Sequence, residues 1–513
     1  MKKLSIVLLI ACFGLINLQA QDKAVIDNII KEASENSMLK ELAYELLDKN
    51  GPRLVGTPQM QSAHDWAVAK YAEWGISAEN QQWGEWRGWD RGITHVDMIE
   101  PRVRSLEAMQ LAWSASTNGP IEADVVTMPT FENEQGYKDW LPTVKGKLVL
   151  INPHQPTGRP NYNWEKFGKE ESIEAMRAEQ REVTTAWNNN LRTAGINSRT
   201  LPTDLEEAGA VGLLASYWSR GFGVNKIFSS RAKTIPTIDI GLEDYGTLHR
   251  MVAHGDTPRL RVETQSEDLG MVPTFNTVAM IKGSEKPDEY IVLSAHFDSW
   301  DGGTGATDNG TGTIVMMEAM RILKQLYPNP KRTIIAGHWG SEEQGLNGSS
   351  SFVEDNPEVV EGLQALFNQD NGTGRVVNIS GQGFLHAYEF FQRWMQPVPN
   401  NIKSEINTTF PGTPGGGGSD YASFVAAGAP GFSLSSLSWD YGTYTWHTNR
   451  DTYDKIVFDD VRDNVILTAI LTYMASEDDQ TFPRDKAVLP MSRRTGEQMA
   501  WPSPRKPNRS GGN

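Results

Sequence analysis

Tyr290-Ile291-Val292-Leu293-Ser294-Ala295-His296-Phe297-Asp298 is the stretch whose reading decides the fold. A short run of apolar and β-branched residues bounded by turn signals reads as a buried strand. This one runs straight into a histidine and an aspartate. Upstream, Thr277 to Ile281 reads as a second strand, adjacent to the first across the polar turn Gly283-Ser284-Glu285-Lys286-Pro287. Downstream, the pattern predicts helix over Gly310–Leu326, strand over Arg332–Ala336, helix around Ser349–Phe352 and strand over Leu363–Phe367. Strands alternating with helices imply an α/β fold with a mostly parallel sheet between helices.

In such sheets ligands bind outside the carboxyl ends of the parallel strands. The strand from Tyr290 ends on His296, the one from Arg332 leads through Trp339 to Glu342-Glu343, and the one from Leu363 ends at Asp370. Asp308 stands at the start of the intervening helix. Zinc takes neutral imidazole nitrogen and carboxylate oxygen. Two metals a few Å apart need one bridging carboxylate with separate ligands on each side. Asp308 is the natural bridge, His296 and Asp370 complete one metal, and Glu343 with a later histidine completes the other. Neighbouring side chains diverge, so Glu343 ligates while Glu342 faces the water as general base. Asp298 is placed to hold the other imidazole nitrogen of His296.

The chain has nine histidines. His64, His249 and His254 lack companion ligands and read as surface or packing residues, and His338 is a weak rival. The later histidine is His447, in Tyr441-Gly442-Thr443-Tyr444-Thr445-Trp446-His447. Asp451 and Asp454 read either as partners of His447 or as turn formers. The run Gly415–Gly418 lacks the Lys-Ser/Thr of a phosphate loop and reads as a flexible loop.

Composition bounds the rest. With 513 residues, 39% hydrophobic and 22% charged, the chain can bury a large core. Its net charge of −16 argues against nucleic acid or an anionic membrane as the main partner. Lys2 and Lys3, the apolar run Leu4–Leu18 and small Ala20 read as a secretory signal peptide over residues 1–20. Leu9-Ile10-Ala11-Cys12 offers a lipid anchor on Cys12 as the alternative. The remaining chain has no cysteine, so any metal must be held by His and carboxylates. No later segment is long and apolar enough to span a bilayer. The expected location is periplasmic or secreted.

His296-Phe297-Asp298-Ser299-Trp300, Gly305-Ala306-Thr307-Asp308-Asn309-Gly310, Glu342-Glu343-Gln344-Gly345-Leu346-Asn347-Gly348-Ser349, Asp370, and His447 with Asp451-Thr452 resemble the co-catalytic zinc aminopeptidases and glutamate carboxypeptidases. The likeness is greatest to the carboxypeptidase Q branch, whose catalytic start Gly51-Pro52-Arg53-Leu54-Val55-Gly56-Thr57 resembles. The resemblance implies a zinc aminopeptidase-like fold, two Zn2+ (other divalent transition metals being able to substitute) and the roles given above. Ser419-Asp420-Tyr421 resembles a loop lining the family's active site. Trp446 stands where many relatives place Tyr or His to steady the tetrahedral intermediate. Tyr441, Tyr444 or the indole N–H are the candidate replacements.

The domain organisation that follows is residues 1–20 signal peptide, 21–98 the N-terminal part of the peptidase domain, 99–263 an inserted β-rich protease-associated-like domain, 264–483 the catalytic zinc peptidase domain, and 484–513 a flexible tail. Tryptophans Trp83, Trp86 and Trp89 read as core before pocket. The implied activity is hydrolysis of terminal bonds of short peptides, by an aminopeptidase or a carboxypeptidase Q-like dipeptidase. A homodimer is left open. The alternatives are a single-zinc glutaminyl cyclase-like acyltransferase and a non-catalytic binding module on the same fold.

Overall fold

The computed structural model describes residues 22–492 and 494–511. The leader expected over residues 1–20, with Cys12, lies outside the described residues. Six strands carry the argument: β1 (Ser77–Glu100), β2 (Arg259–Ile281), β3 (Lys286–His296), β4 (Arg332–Trp339), β5 (Leu363–Asn368) and β6 (Gly431–Ser436). They lie side by side in the order β6-β5-β3-β4-β2, with β1 paired along β2. β6, β5, β3 and β4 are mutually parallel, and β2 runs antiparallel to β4.

Each of β4 and β5 is buried along its whole length, as is β3 from Ile291 onward. That is the pattern of parallel strands covered on both faces. Alternation then sorts the side chains. Ile291, Leu293, Ile334, Ala336, Ala365 and Phe367 enter the larger core, with helices α1 (Thr311–Leu326) and α2 (Phe458–Glu477). Val292, Ile335 and Leu366 face the other way, onto Phe352 and Phe424. The helix over residues 22–35 and the helix Pro58–Glu73 also bury apolar residues, Ile29 and Ala67 among them, in the larger core. Thr57 caps the second of these helices, its hydroxyl accepting from the Met60 N–H at 3.2 Å.

The expected pairing of Thr277–Ile281 with Tyr290–Ala295 is corrected. The two strands are separated by β4, which pairs with both. The turn between them wraps the start of β4 instead, with Gly283 N–H donating to Thr333 Oγ1 at 3.0 Å and Ser284 N–H to Pro330 O at 2.7 Å. The crossover through α1 places β4 parallel beside β3, filling the position a hairpin partner would take.

β1 and β2 are long enough to carry the sheet past a second core, β2 pairing with Ile121–Thr127. Their far ends, at Val96, Met98, Leu260 and Val262, pack into a separate core with Val125, Leu148, Leu214, Ile238, Tyr245 and Leu248. Strands Ile121–Thr127, Leu148–Leu150, Gly212–Ala215 and Thr237–Ile240 are parallel there, with Ala108–Gln110 antiparallel at the edge. The segment is less β-rich than expected, because helices Glu134–Trp140, Glu170–Thr193, Leu201–Glu207 and Leu242–Ala253 take much of it. Trp83, Trp86 and Trp89 are core, packed with Trp113, Ile227 and Trp300.

The tail from Arg484 is docked rather than loose. Ser510 and Gly511 add a short parallel pairing to Glu85 and Trp86 of β1. Arg509 holds Trp83 O at 3.0 Å and reaches Glu354 at 2.8 Å and Asp355 at 2.7 Å. Trp501 meets Phe384 edge-on at 5.3 Å, lies beneath Lys486 at 4.3 Å and donates to Val425 O at 2.8 Å. Its Pro- and Arg-rich composition hid this, because anchoring rests on a few spaced contacts rather than a periodic apolar face. Trp501→Ala is expected to cost about 2–3 kcal/mol, slightly under the usual large-aromatic loss because Trp501 is only partly buried. An unchanged urea midpoint would make the tail a bystander.

Candidate metal centre

The ends of β3 and β4 are in register, Trp339 beside His296, and Asn368 of β5 is in register with Ser294. The carboxyl ends of three parallel strands therefore meet at one level. His296 is the last residue of β3, Asp370 follows β5, and Glu342-Glu343 follow β4 after Ser341, whose φ is 61°. Asp308 precedes α1, in a segment where its φ is −126°. His447 comes from a loop after the short helix Tyr441–Tyr444, also with a left-handed φ of 60°.

Two clusters result. His296, Asp308 and Asp370 form one, and Asp308, Glu343 and His447 the other, each with potential ligand atoms within 4.8 Å of one another. His296 Nε2 lies 3.3 Å from Asp308 Oδ1 and 3.3 Å from Asp370 Oδ1. His447 Nε2 lies 3.4 Å from Asp308 Oδ2 and 2.9 Å from Glu343 Oε2. A tetrahedral ion with bonds of about 2.0–2.1 Å has ligand-to-ligand edges of about 3.3 Å. Most of these separations fit that figure, and the two oxygens of Asp308 face different clusters. Glu343 Oε1 and Asp308 Oδ2 are buried without a hydrogen-bond donor. The donor set therefore fits divalent cations.

The surroundings hold this arrangement in ways that sequence spacing did not predict. His296 Nδ1 bonds to the Asp298 backbone carbonyl at 3.0 Å, while the Asp298 carboxylate is farther, at 3.6 Å. That carboxylate instead accepts the backbone N–H groups of Glu342 at 3.0 Å and Glu343 at 3.2 Å. Asp298 thus pins the turn bearing both glutamates. Asp451 does not partner His447; its backbone N–H closes a turn on Thr448 O at 3.3 Å. Its carboxylate accepts from Thr307 N–H at 2.8 Å and Asp308 N–H at 3.0 Å, fixing the backbone at Asp308. Asp454 stays with Thr452 and Lys455. Arg53, fully buried, ties the loop after β3 through Phe297 O at 2.7 Å, Thr304 O at 2.8 Å and Gly305 O at 2.9 Å. Its charge also faces Asp451, Asp298 and Asp308, against a burial that pulls it down to about 10.

The rival histidines are elsewhere. His338 pairs with the Tyr71 hydroxyl at 2.7 Å and His64 with Thr277 at 2.8 Å; both are buried, and burial lowers each to about 3. His249 stacks on His154 at 4.3 Å.

Electrostatics suits metal binding. Burial, with Lys226 and His296 nearby, brings His447 down to about 4, so it is neutral at pH 7, the form a metal takes. Burial pushes the Glu342 carboxyl well above the usual range, reinforced by Asp370, Asp420 and Glu343 although His296 opposes it. Glu343 is raised too, by burial and then Asp308. Divalent charge among these carboxylates would reverse that push. Asp420, completely buried within the loop singled out in the sequence, is raised by burial to about 7 and senses His296, Asp298 and Asp370.

Aromatic side chains wall the cluster. Phe228 and Trp300 approach the His447 ring at 5.2 and 5.8 Å, and Trp446 at 4.1 Å. Of the three candidate replacements at the Trp446 position, Tyr441 is the one whose ionisation is opposed by burial and then by Asp308, whereas the Tyr444 hydroxyl meets that of Tyr162 at 3.4 Å. Phe228 and Arg53 were not singled out as single residues. Neither lies in a ligand-type motif, and only their contacts expose them.

Residues 276–470 match the profile of peptidase family M28. They form an M28 peptidase domain. Over 472 residues the chain is 26% identical to carboxypeptidase Q of Mus musculus, covering 90% of each. Among solved structures, the fold is similar to a peptidase M28 precursor from Shewanella amazonensis, with 23% identity, a TM-score of 0.65, and 90% of this chain and 98% of the other covered. It is also similar to the Bacillus subtilis zinc aminopeptidase BSAP, with 17% identity, a TM-score of 0.55, and 87% and 96% covered. The M28 domain bears both ligand clusters, and the chain is a metallopeptidase. No described helix is long and apolar enough to cross a membrane.

Proposed function

We propose that the protein is an exported dizinc exopeptidase that hydrolyses terminal bonds of short peptides. The observation that carries this is the pair of three-residue clusters sharing Asp308, each with edges near those of a tetrahedral zinc. His296, Asp308 and Asp370 would hold one ion, and Asp308, Glu343 and His447 the other. The basic-apolar leader supports export. The names of the mouse carboxypeptidase Q and the Bacillus aminopeptidase support a terminal bond as the target. A single-zinc acyltransferase needs one cluster only, so two complete clusters favour the peptidase. Residues 99–263 act as an inserted unit with its own core, leaning on the peptidase site.

Zinc bound there would lower the pKa of water and polarise the scissile carbonyl. Glu342, adjacent to a ligand and held by Asp298, accepts the proton of the attacking water and returns it to the leaving amine. Tyr441 offers its hydroxyl to the charge developing on the carbonyl oxygen. Tyr441→Phe is expected to lower kcat about 100-fold with KM little changed, as for other single donors to a developing oxyanion. An unchanged kcat removes Tyr441 from that role.

The test is zinc content beside hydrolysis of free dipeptides, amino-acid p-nitroanilides and N-blocked peptides. About two zincs per chain, the stoichiometry of a co-catalytic site, with chelator-sensitive cleavage is the expected result. One zinc and cyclisation of N-terminal glutamine would overturn it.

A further inference from the structure

The C-terminal tail lies in a groove shaped for it. Gly84 of β1 leaves the necessary space, because a Cβ there would run into the backbone of Arg509 and meet that residue first. Gly511 meets the Trp86 ring in the same way, where a side chain would collide with the indole. Pro507 and Gly511 are buried, although the tail between them is mostly exposed. The Glu85 N–H donates to Arg509 O at 2.8 Å.

The groove borders the turn that carries Glu342 and Glu343. Asn347 closes that turn, its side-chain amide donating to Ser341 Oγ at 3.1 Å and to Gln344 O at 3.3 Å. The Oδ1 of the same buried amide accepts from Asn508 N–H at 2.9 Å, so one side chain joins the tail to the turn. Arg509 grips Glu354 and Asp355 at the far end of the helix Asn347–Asp355. Arg505 donates to Gly416 O at 3.1 Å, in the loop that precedes Ser419-Asp420. On the other side, Asn276 of β2 accepts from Gly340 N–H at 3.0 Å and donates to Gly348 O at 2.9 Å.

The turn needs such ties. Ser341 and Leu346 have left-handed φ values of 61° and 62°. A non-glycine residue is disfavoured there and persists only where its surroundings over-determine it. Asp298 and Asn276 hold the turn from within. Asn347, with the tail on its Oδ1, holds it from outside.

We propose that residues 505–511 are a strap that positions Glu342, so that occupancy of the groove by the tail sets the turnover rate. This rests on the dizinc exopeptidase reading, in which Glu342 is the base. With the strap away, Asn347 loses its tie to the tail and the turn gains a second arrangement. Glu342 then spends part of its time out of line with the attacking water, and a misplacement of about 1 Å is worth about 100-fold in rate. The metal site stays filled, because Asp298 still holds the Glu343 N–H. The strap lies outside residues 276–470, the matched peptidase domain, and acts on it from the end of the chain.

Two variants remove the strap by different routes. One chain ends at Pro504. The other is Gly84→Val, whose tail is intact but whose groove is blocked. Both are loaded with zinc and assayed well below their Tm on the peptide that the wild type cleaves best. In each, kcat is expected to fall by about 10- to 100-fold, with KM and zinc content unchanged. Hydrogen exchange at the backbone amides of residues 340–348 should quicken, while that of α1 stays as in the wild type. A lower Tm with unchanged kcat would make the tail a stability element only and overturn the proposal. Unchanged exchange in the turn, or activity lost in step with zinc, would overturn it as well. Gly84→Val decides the matter if the shortened chain does not fold. Exchange needs no substrate, so a wild type that cleaves nothing removes only the peptidase reading, while the amides of the turn still decide the strap.

Discussion

Glu342→Gln is expected to reduce kcat by about 1,000-fold or more while zinc content stays at the wild-type level. General-base catalysis contributes about 100- to 10,000-fold in enzymes, and a buried amide cannot take the proton. The two effects separate because the turn is held from below. The Asp298 carboxylate binds the backbone N–H groups of Glu342 and Glu343, so loss of the Glu342 carboxylate leaves Glu343 in place. The substitution also removes a carboxyl from a crowded acidic pocket, where burial and then Asp370, Asp420 and Glu343 push it up against the opposing His296. Metal affinity is thus expected to hold or fall slightly, not collapse. Steady-state kinetics with metal analysis of the same preparation checks this. Substantial residual hydrolysis would return the base role to another group.

Asp308→Ala should remove both metals. Its Oδ1 faces His296 and its Oδ2 faces His447, so one truncation takes an oxygen from each cluster. Zinc is expected to fall from about two per chain to below one and activity to vanish, since losing even an outer partner costs about 10- to 100-fold in affinity. Asp370→Ala is the internal comparison, because Asp370 belongs to one cluster only and should leave about one zinc, at the other cluster. A chelator should lower the Tm of the wild type, by a binding contribution of about 4 kcal/mol at a thousandfold excess over Kd. The Asp308→Ala protein should show no such drop. A variant that still carries two zincs would refute the bridge.

Sequence spacing made much of this legible. His296, Glu343 and Asp370 stand at the ends of apolar runs, and the register of β3, β4 and β5 puts those ends at one level. Asp308 was legible because it sits between two such runs. His447 was harder, being a loop residue with a left-handed φ, found by elimination among histidines and by resemblance. Asp298 meets the His296 ring through its backbone carbonyl rather than the carboxylate expected, because spacing alone does not say which of the two faces a ring nitrogen two residues away.

What the sequence determined by itself is what local periodicity and chemistry encode: buried parallel strands, their order of appearance, and which of them carry ligand-type residues at their ends. Those features follow from each segment's own side chains. Tertiary structure alone decided that β4 separates β2 from β3, that the tail docks on β1, that Asp451 holds the backbone of Asp308, and that Lys226 lies beside the loop of His447. Each depends on contacts between segments far apart in the chain. The strand order is set by crossover packing, and Lys226 by an Asp239-anchored ladder to the loop of His447. Neither leaves a periodic or spaced mark in the residues themselves.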